Sequence, residues 1–309
     1  MIALLTLSAM VSCGKITSTE TLAEIAVRAV NCIETKGYVT GESLQDSGVP
    51  RDIHLSAYNT TLAQPYFLDM TFKNPAGDSW TNHNGDVHTP LYWPQDSRLS
   101  FLAYSAGTSA PKAAWSLSGN TSRVVLDVTP ESLQDDILFA VADDCTSELS
   151  PISLDFRHSQ AWIEFQISAP ISEITSFLGV TINNVRTSGI LTITDNYGLA
   201  TSSWDFSSSM PSNHLLTPDW SAISSPSSSV SLSILLPQQP CCSFTFHFKI
   251  NGVDRAFPCD LSGSEYWYSS VHYTYKANVI GGEVSGFTKS SAEGDDISCH
   301  ISTTEQNWD

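Results

Sequence analysis

Cationic side chains are what this chain has least of. Lys and Arg number 14 against 32 Asp and Glu, for a formal net charge of -18, and only 15% of residues are charged at all. A phosphate backbone is held by clustered Lys and Arg, so nucleic acid is excluded as a partner class. No G-x-G-x-x-G, Walker A, H-E-x-x-H, G-x-S-x-G or EF-hand loop occurs, which removes the common nucleotide, zinc-protease, hydrolase and calcium signatures. The seven cysteines include no C-x-x-C, so thioredoxin chemistry and zinc-ribbon spacing are absent too. Long amphipathic helix patterns and βαβ crossovers are missing, and no apolar run is long enough to span a bilayer as a helix.

What is present is apolar and hydroxylated. Hydrophobic residues make up 41% and aromatics 10%, enough for real cores, and 309 residues allow one large or two ordinary domains. Ser, Thr, Asn and Gly fill polar positions where surface helices would carry Lys and Glu, which favours strands. Period-two alternation is clearest at 152–168. There Ile152, Leu154 and Phe156, then Ile163, Phe165 and Ile167, face one way. Trp162 shares the opposite face with Glu164, which places it at a rim. Strands are expected at 53–59, 66–74, 99–103, 123–128, 134–141, 180–193 and 229–238. A hairpin follows, with Phe244, Phe246 and Phe248 on one face and Asn251-Gly252 at its turn. The last strong strand sets Val271, Tyr273 and Tyr275 against His272, Thr274 and Lys276. Segment 107–121 reads as loop, 201–230 as a long loop with brief ordered pieces around Trp204-Asp205-Phe206 and Trp220, and 284–309 as a polar acidic tail. Patterns before and after residue 150 each look complete. The expectation is therefore all-β, with two β-sandwich domains in tandem, 14–150 and 151–309.

The N-terminus carries the localisation signal. Residues 1–13, MIALLTLSAMVSC, are a short apolar run ending in small residues and a cysteine. This resembles a bacterial lipobox, which would make Cys13 a lipidated residue; a plain signal peptide is the alternative. Export permits disulfides among Cys32, Cys145, Cys241, Cys242, Cys259 and Cys299. Cys259 lies across the hairpin from Cys241 and Cys242 as their nearest candidate partner, and buried free thiols are the other reading. Next, 24–33 (EIAVRAVNCI) leans to strand through Ile25, Val27, Val30 and Ile33. A polar loop after it holds Lys36 and Arg51.

Candidate chemistry is thin. His83, Asp86 and His88 are two imidazoles and a carboxylate in one loop, but their spacing fits no zinc signature, and no metal or cofactor is expected. Asp155, His158 and Ser159 are neighbours along one strand and turn, an arrangement that does not build a triad. His158 reads as a turn residue. Adjacent acids Asp135-Asp136 and Asp143-Asp144 point to opposite strand faces and cannot flank one glycosidic bond. Trp80, Tyr92, Trp93, Tyr266, Trp267 and Tyr268 suit sugar stacking, though sandwich cores use aromatics more often. No enzymatic activity is expected.

Several blocks in order resemble the fimbrillin-like family of Bacteroidetes. LYWPQDSRLSFLAYSA at 91–106 is similar to its YWP…F.AY signature. Leu154, Phe156, His158, Ile163, Phe165 and Ile167 match the motif that opens its second domain, and 185–193, 235–238 and 250–279 match later blocks. The resemblance implies two tandem transthyretin-like β-sandwiches, exported as an outer-membrane lipoprotein precursor. It also implies a structural or adhesive subunit of surface fimbriae. In family stalk subunits a trypsin-like protease cuts the loop after the first strand, that strand leaves, and a neighbouring subunit donates a replacement. Here 24–33 corresponds to the removable strand. Lys36 stands near where many members carry Arg, with Arg51 and Arg28 as alternatives. The partners implied are other fimbrial subunits through donor-strand exchange, the outer-membrane lipid anchor, and a host protein or glycan. The polar tail makes a poor donor, as a tip or accessory subunit would have. A surface lipoprotein that binds carbohydrate or a host ligand without entering a fimbria is the rival reading.

Overall fold

The computed structural model describes residues 22–30, 52–75, 79–106, 111–118, 121–129, 136–168, 174–196, 198–217, 229–240, 243–250, 252–259, 266–278 and 303–307. Within these, ordered structure is strand apart from one short 3-10 turn, Ser147–Leu149. Chain neighbours pair first. Ile53–Asn59 lies between Gln64–Lys73 and Leu99–Ser105, antiparallel to both. The sheet then runs Ile152–Asp155, Ala26–Val30, Trp80–Asn84, Gln64–Lys73, Ile53–Asn59, Leu99–Ser105, Leu138–Cys145 and Arg157–His158. Its two outermost members are consecutive pieces of one segment, separated only by Phe156. One half of that segment pairs with Ala26–Val30 in parallel, the other with Leu138–Cys145 antiparallel. A sheet whose two edges end on the same few residues must curl back on itself, and curling covers edges that would otherwise stand open. The enclosed core includes Val27, Leu55, Phe72, Trp80, Phe101, Leu154 and Phe156.

This corrects the reading of 152–168. Leu154 and Phe156 are core residues as expected, but of the first sheet, and the second sandwich starts only at Gln160. Alternation reveals which face of a strand is buried; it does not name the partner strand. Position 150 is also crossed by a second sheet, ordered Leu199–Asp205, Gly189–Asn196, Thr121–Val128, Lys112–Ser118. This four-stranded layer joins a hairpin from each half of the chain. It covers the back of the first sheet, packing Val124, Leu126, Leu191 and Ile193 against Leu102, Tyr104 and Phe139. Leu99–Ser105 is consequently buried on both faces. Of the expected loop at 107–121, Lys112–Ser118 is strand, and its Ala- and Ser-rich sequence gave little β signal. Leu199–Asp205 holds the ordered piece expected around Trp204, and Ser212–Leu216 is strand where loop was expected.

Eight further strands form a sandwich. One sheet is Ser229–Pro237, Gln160–Ser168, Val271–Asn278 and Thr303–Asn307; the other is Ser212–Leu216, Ile174–Val185, Phe244–Ile250 and Val253–Cys259. Their inner faces carry the residues that alternation assigned: Ile163, Phe165 and Ile167, then Phe244, Phe246 and Phe248, with Tyr273 and Tyr275. Phe165 meets Phe244 edge-on at 4.8 Å, and the Trp267 indole donates to the Tyr275 hydroxyl at 2.8 Å, so aromatic bulk is buried with its polar atom satisfied. Part of the expected polar tail, Thr303–Asn307, is an edge strand on Val271–Asn278.

One carboxylate closes a turn within the hairpin layer. Asp195, 2% exposed, accepts the Gly198 amide at 2.8 Å and so closes the turn of Gly189–Asn196 and Leu199–Asp205. Burial, and then the charge of Asp143, raise its pKa, while the Gly198 hydrogen bond opposes them. With the folded pKa above the unfolded value, this group's stabilisation is complete at pH below the unfolded pKa. It is lost as pH rises through the folded one. Asp195→Asn keeps the acceptor and removes the charge. The variant is expected to melt ~2–4 °C above wild type at pH 7, a gap that closes as the two are compared at falling pH towards 4; calorimetry at several pH values checks it.

Candidate functional site

The first strand is the element whose attachment differs from all others in its sheet. In AEIAVRAV the apolar side chains fall at alternate positions, so Ile25, Val27 and Ala29 enter the core while Arg28 points to solvent. On one side Ala26–Val30 runs parallel to Ile152–Asp155, from Val27 opposite Ile152 to Val30 opposite Asp155. On the other it meets Trp80–Asn84 at only two positions, Ala26 with Thr81 and Val27 with Trp80. Just before the strand, the Ile25 amide donates to Leu91 O at 2.7 Å and the Trp93 amide to Ala23 O at 2.9 Å. Ser150 Oγ donates to Glu24 O at 2.8 Å, His88 Nε2 meets the Glu24 carboxylate, and Arg28 Nε donates to Ser153 Oγ at 2.8 Å. Burial of Ile25 and Val27 contributes roughly 1.5–3 kcal/mol each. Their shared cluster includes Phe72, Trp80, Ile152 and Leu154.

Of the expected processing residues, Cys13, Lys36 and Arg51 lie outside the described residues. Arg28 is described, in mid-strand, its backbone in register with Ser153. A protease binds an extended, unpaired chain, so Arg28 is the least suited of the three cleavage candidates while the strand is seated.

The side chains once grouped for chemistry part company. His83 and His88 face each other across a ladder, rings 5.5 Å apart. Yet His83 Nε2 pairs with Thr81 Oγ1 at 3.2 Å, His88 with Glu24, and Asp86 with Lys73 at 3.0 Å. No group of three metal-ligating side chains occurs among the described residues. His158 is not a turn residue in the open. It is 1% exposed, with Nδ1 2.8 Å from Asp136, which is equally buried, whereas Asp155 faces solvent. Around it Ser159 O accepts from Trp204 Nε1 (2.9 Å) and Ser269 Oγ (2.7 Å), and Ser270 Oγ donates to His158 O at 2.8 Å. Residues 158–160 thus pin the curled sheet, the hairpin layer and the sandwich together. Nothing in the sequence links position 136 to 158, so no pattern there signalled the pair. Asp143 accepts from Ser100 and Asp144 pairs with Arg98, two separate roles for adjacent acids.

The aromatic candidates divide sharply. Trp80, Trp93 and Trp267 are core residues, while Tyr92 and Tyr268 are exposed and Tyr266 is half-buried. Trp162, expected at a rim, is buried and stacks on His272 at 3.7 Å. Cys145 is a buried free thiol whose pKa is pushed up to about 11 by burial, then by Asp143 and Asp144.

A family model described as fimbrillin-like matches residues 50–294. No curated protein matches the chain. Among solved structures, a protein from Bacteroides uniformis named for cell adhesion is 17% identical, with a TM-score of 0.56, covering 93% of this chain and 99% of its own. One from Bacteroides ovatus, also named for cell adhesion, is 15% identical with a TM-score of 0.57, covering 93% and 97%. At these identities the likeness is one of fold.

Two outcomes are expected. Trp80→Ala and Trp267→Ala lose about 3–5 kcal/mol of stability in denaturant melts, against about 0.5 kcal/mol or less for Tyr268→Ala. Native protein at pH 7.5 leaves Cys145 unmodified by iodoacetamide, read by mass spectrometry, because thiolate and access are both lacking.

Proposed function

Because this chain belongs to the fimbrillin-like family, we propose that it is a structural or adhesive subunit of surface fimbriae, joined to its neighbour by donor-strand addition where its first strand now sits. The observation that carries this is the lopsided seat of Ala26–Val30: four paired positions in parallel on one side, two on the other. Three alternating inward side chains accompany it. A strand from another chain that alternates in the same way meets the same hydrogen-bonding groups and the same pockets. The solved structures of like fold are themselves named for cell adhesion, which agrees with this reading.

In this account the chain is exported as an outer-membrane lipoprotein precursor, lipidated at Cys13 and then displayed at the cell surface or in a fimbrium. Its role is mechanical rather than catalytic. Cleavage falls at Lys36 or Arg51, on the chain between the first strand and Ile53–Asn59. The architecture is read as two transthyretin-like sandwiches, the chain first passing between them at 158–160 and returning through Gly189–Asn196 and Leu199–Asp205 to the layer on the first sheet. Thr303–Asn307, paired within its own sheet, fits a subunit that accepts a strand more readily than it gives one, as at a tip or accessory position. The carbohydrate-binding rival loses its main support, since Trp80, Trp93 and Trp267 are filled into cores.

Limited trypsin digestion followed by mass spectrometry tests this. The expected result is a cut at Lys36 or Arg51, loss of the segment holding Ala26–Val30, and a lower melting temperature. A synthetic peptide covering 22–33 restores it, and the same peptide with Ile25 and Val27 both changed to Ser does not. A cut chain that keeps its strand and its stability, or that ignores the peptide, would falsify donor-strand addition at this seat.

A further inference from the structure

Two tyrosines stand side by side where Ser229–Pro237 stops and Val271–Asn278 starts, at one end of the second sandwich. Tyr266 and Tyr268 flank Trp267, and alternation sends them the opposite way from it. Trp267 is fully buried in the core, whereas Tyr268 is 55% exposed and Tyr266 half-buried. The short ladder beside them agrees. Buried Gln239 pairs with Trp267, and exposed Pro240 pairs with Tyr266, so Pro240 shares the outer face.

This face is held from behind. Tyr273, itself buried, accepts the Tyr268 amide on its hydroxyl at 3.0 Å and donates that hydroxyl to Tyr266 O at 3.0 Å. One phenol thus fixes the backbone on both sides of Trp267. Just beyond, Ser269 Oγ donates to Ser159 O at 2.7 Å, and the Ser270 amide donates to Gln160 O at 3.0 Å. In front, the two rings have centroids 5.0 Å apart and are inclined at 44°, which opens a wedge between aromatic surfaces. A wedge on a fixed backbone needs little ordering when a ligand enters. Adjoining aromatics left at the surface mark binding sites more often than isolated ones do.

The surroundings narrow the ligand. Neither phenol oxygen of the pair has a hydrogen-bond partner among the described residues, so each rim offers a donor and an acceptor. Between Arg255 and Lys276 the sequence holds no Lys or Arg, while Asp260 and Glu265 fall within it. An anionic ligand has no cation to pair with there, and the net charge of -18 repels it. A pyranose with equatorial hydroxyls presents a flat C–H face to the electron-rich face of an aromatic ring, and hydroxyls around its own rim. A proline ring offers a similar C–H face but nothing for the phenol oxygens. We propose that Tyr266 and Tyr268, with Pro240 beside them, bind a neutral saccharide of this kind, stacked on the rings and hydrogen-bonded to the phenols. This gives a ligand class to the adhesive half of the reading above, on which it rests. It uses no part of the first-strand seat, so its failure leaves donor-strand addition standing.

Saturation-transfer NMR titration of the full chain with cellotriose tests it, with acetyl-hexaproline amide run in parallel. Cellotriose is expected to bind saturably and more tightly than hexaproline. Tyr268→Ala should weaken cellotriose about threefold to tenfold, the scale of one aromatic contact. Tyr268→Phe keeps the ring and loses the phenol, so its affinity should fall between those of wild type and Tyr268→Ala. Tyr268 is exposed, and neither change should move the melting temperature, measured alongside, by more than about 2 °C. No saturable binding of cellotriose overturns the proposal, as does binding that Tyr268→Ala leaves unchanged. Hexaproline that binds as tightly as cellotriose, and is weakened by the same substitution, overturns it in favour of a proline-rich peptide.

Discussion

One segment, 152–158, holds both ends of the first sheet's strand order. Ile152–Asp155 closes it against the first strand and Arg157–His158 against Leu138–Cys145, and Phe156 between them enters the core. A strand cannot pair with two edges unless those edges meet, so seven residues of chain impose the curl on a sheet assembled from almost half the sequence. Where the segment ends, His158 is held by Asp136, and both are inaccessible. A buried imidazole and carboxylate cost desolvation and are tolerated when they satisfy each other. Their position, at the hand-over from sheet to sandwich, makes register at that hand-over specific: a slip of one residue would turn His158 outward and leave Asp136 buried without it.

The scarcity of charge bears on the same arrangement. Layers stack on both faces of Leu99–Ser105, one of them the sheet that joins hairpins from the two halves of the chain, so strand faces that would meet water in a single sandwich meet protein instead. Hydroxyl and amide side chains suit such half-covered faces. Ser269, Ser270, Gln160 and Gln239 each bind backbone groups of another segment, with no charge to desolvate.

Much of the second sandwich was legible. Its strands are long, rich in Phe, Ile and Tyr, and strictly alternating, so Ile163, Phe165, Phe244, Phe246 and Tyr275 could each be assigned a face from sequence alone. The hairpin layer was not. Lys112–Ser118 and Leu199–Asp205 are built from Ala, Ser and Thr, and their stability comes from pairing with Thr121–Val128 and Gly189–Asn196, a tertiary fact that no local window contains. The tryptophans illustrate the converse. Trp80 and Trp93 sit in turn-rich sequence that suggests a surface, and the fold buries both, because the curled sheet needs large side chains at its centre. The first strand was readable as strand and as apolar-in. Its parallel partner, more than 120 residues away by the Arg28–Ser153 contact, was not.

The donor-strand exchange proposed above rests on that distance. Gln64–Lys73 and Leu99–Ser105 are tied to neighbours close in sequence, and losing either would split the sheet through its middle. Ala26–Val30 instead contributes a long-range contact whose loop-closure entropy grows only slowly with the length of chain enclosed. Its removal leaves two strands, Ile152–Asp155 and Trp80–Asn84, each still anchored on its far side: the former by the chain that continues into Arg157–His158, the latter by Gln64–Lys73. What is left is a slot with hydrogen-bonding groups on both walls and a floor of Trp80 and Leu154. Such a slot costs more unfilled than filled, since exposed apolar floor and unpaired strand edges are both unfavourable in water. Any strand that presents small-to-medium apolar side chains at the spacing of Ile25, Val27 and Ala29 relieves that cost, and its covalent origin is immaterial to the slot.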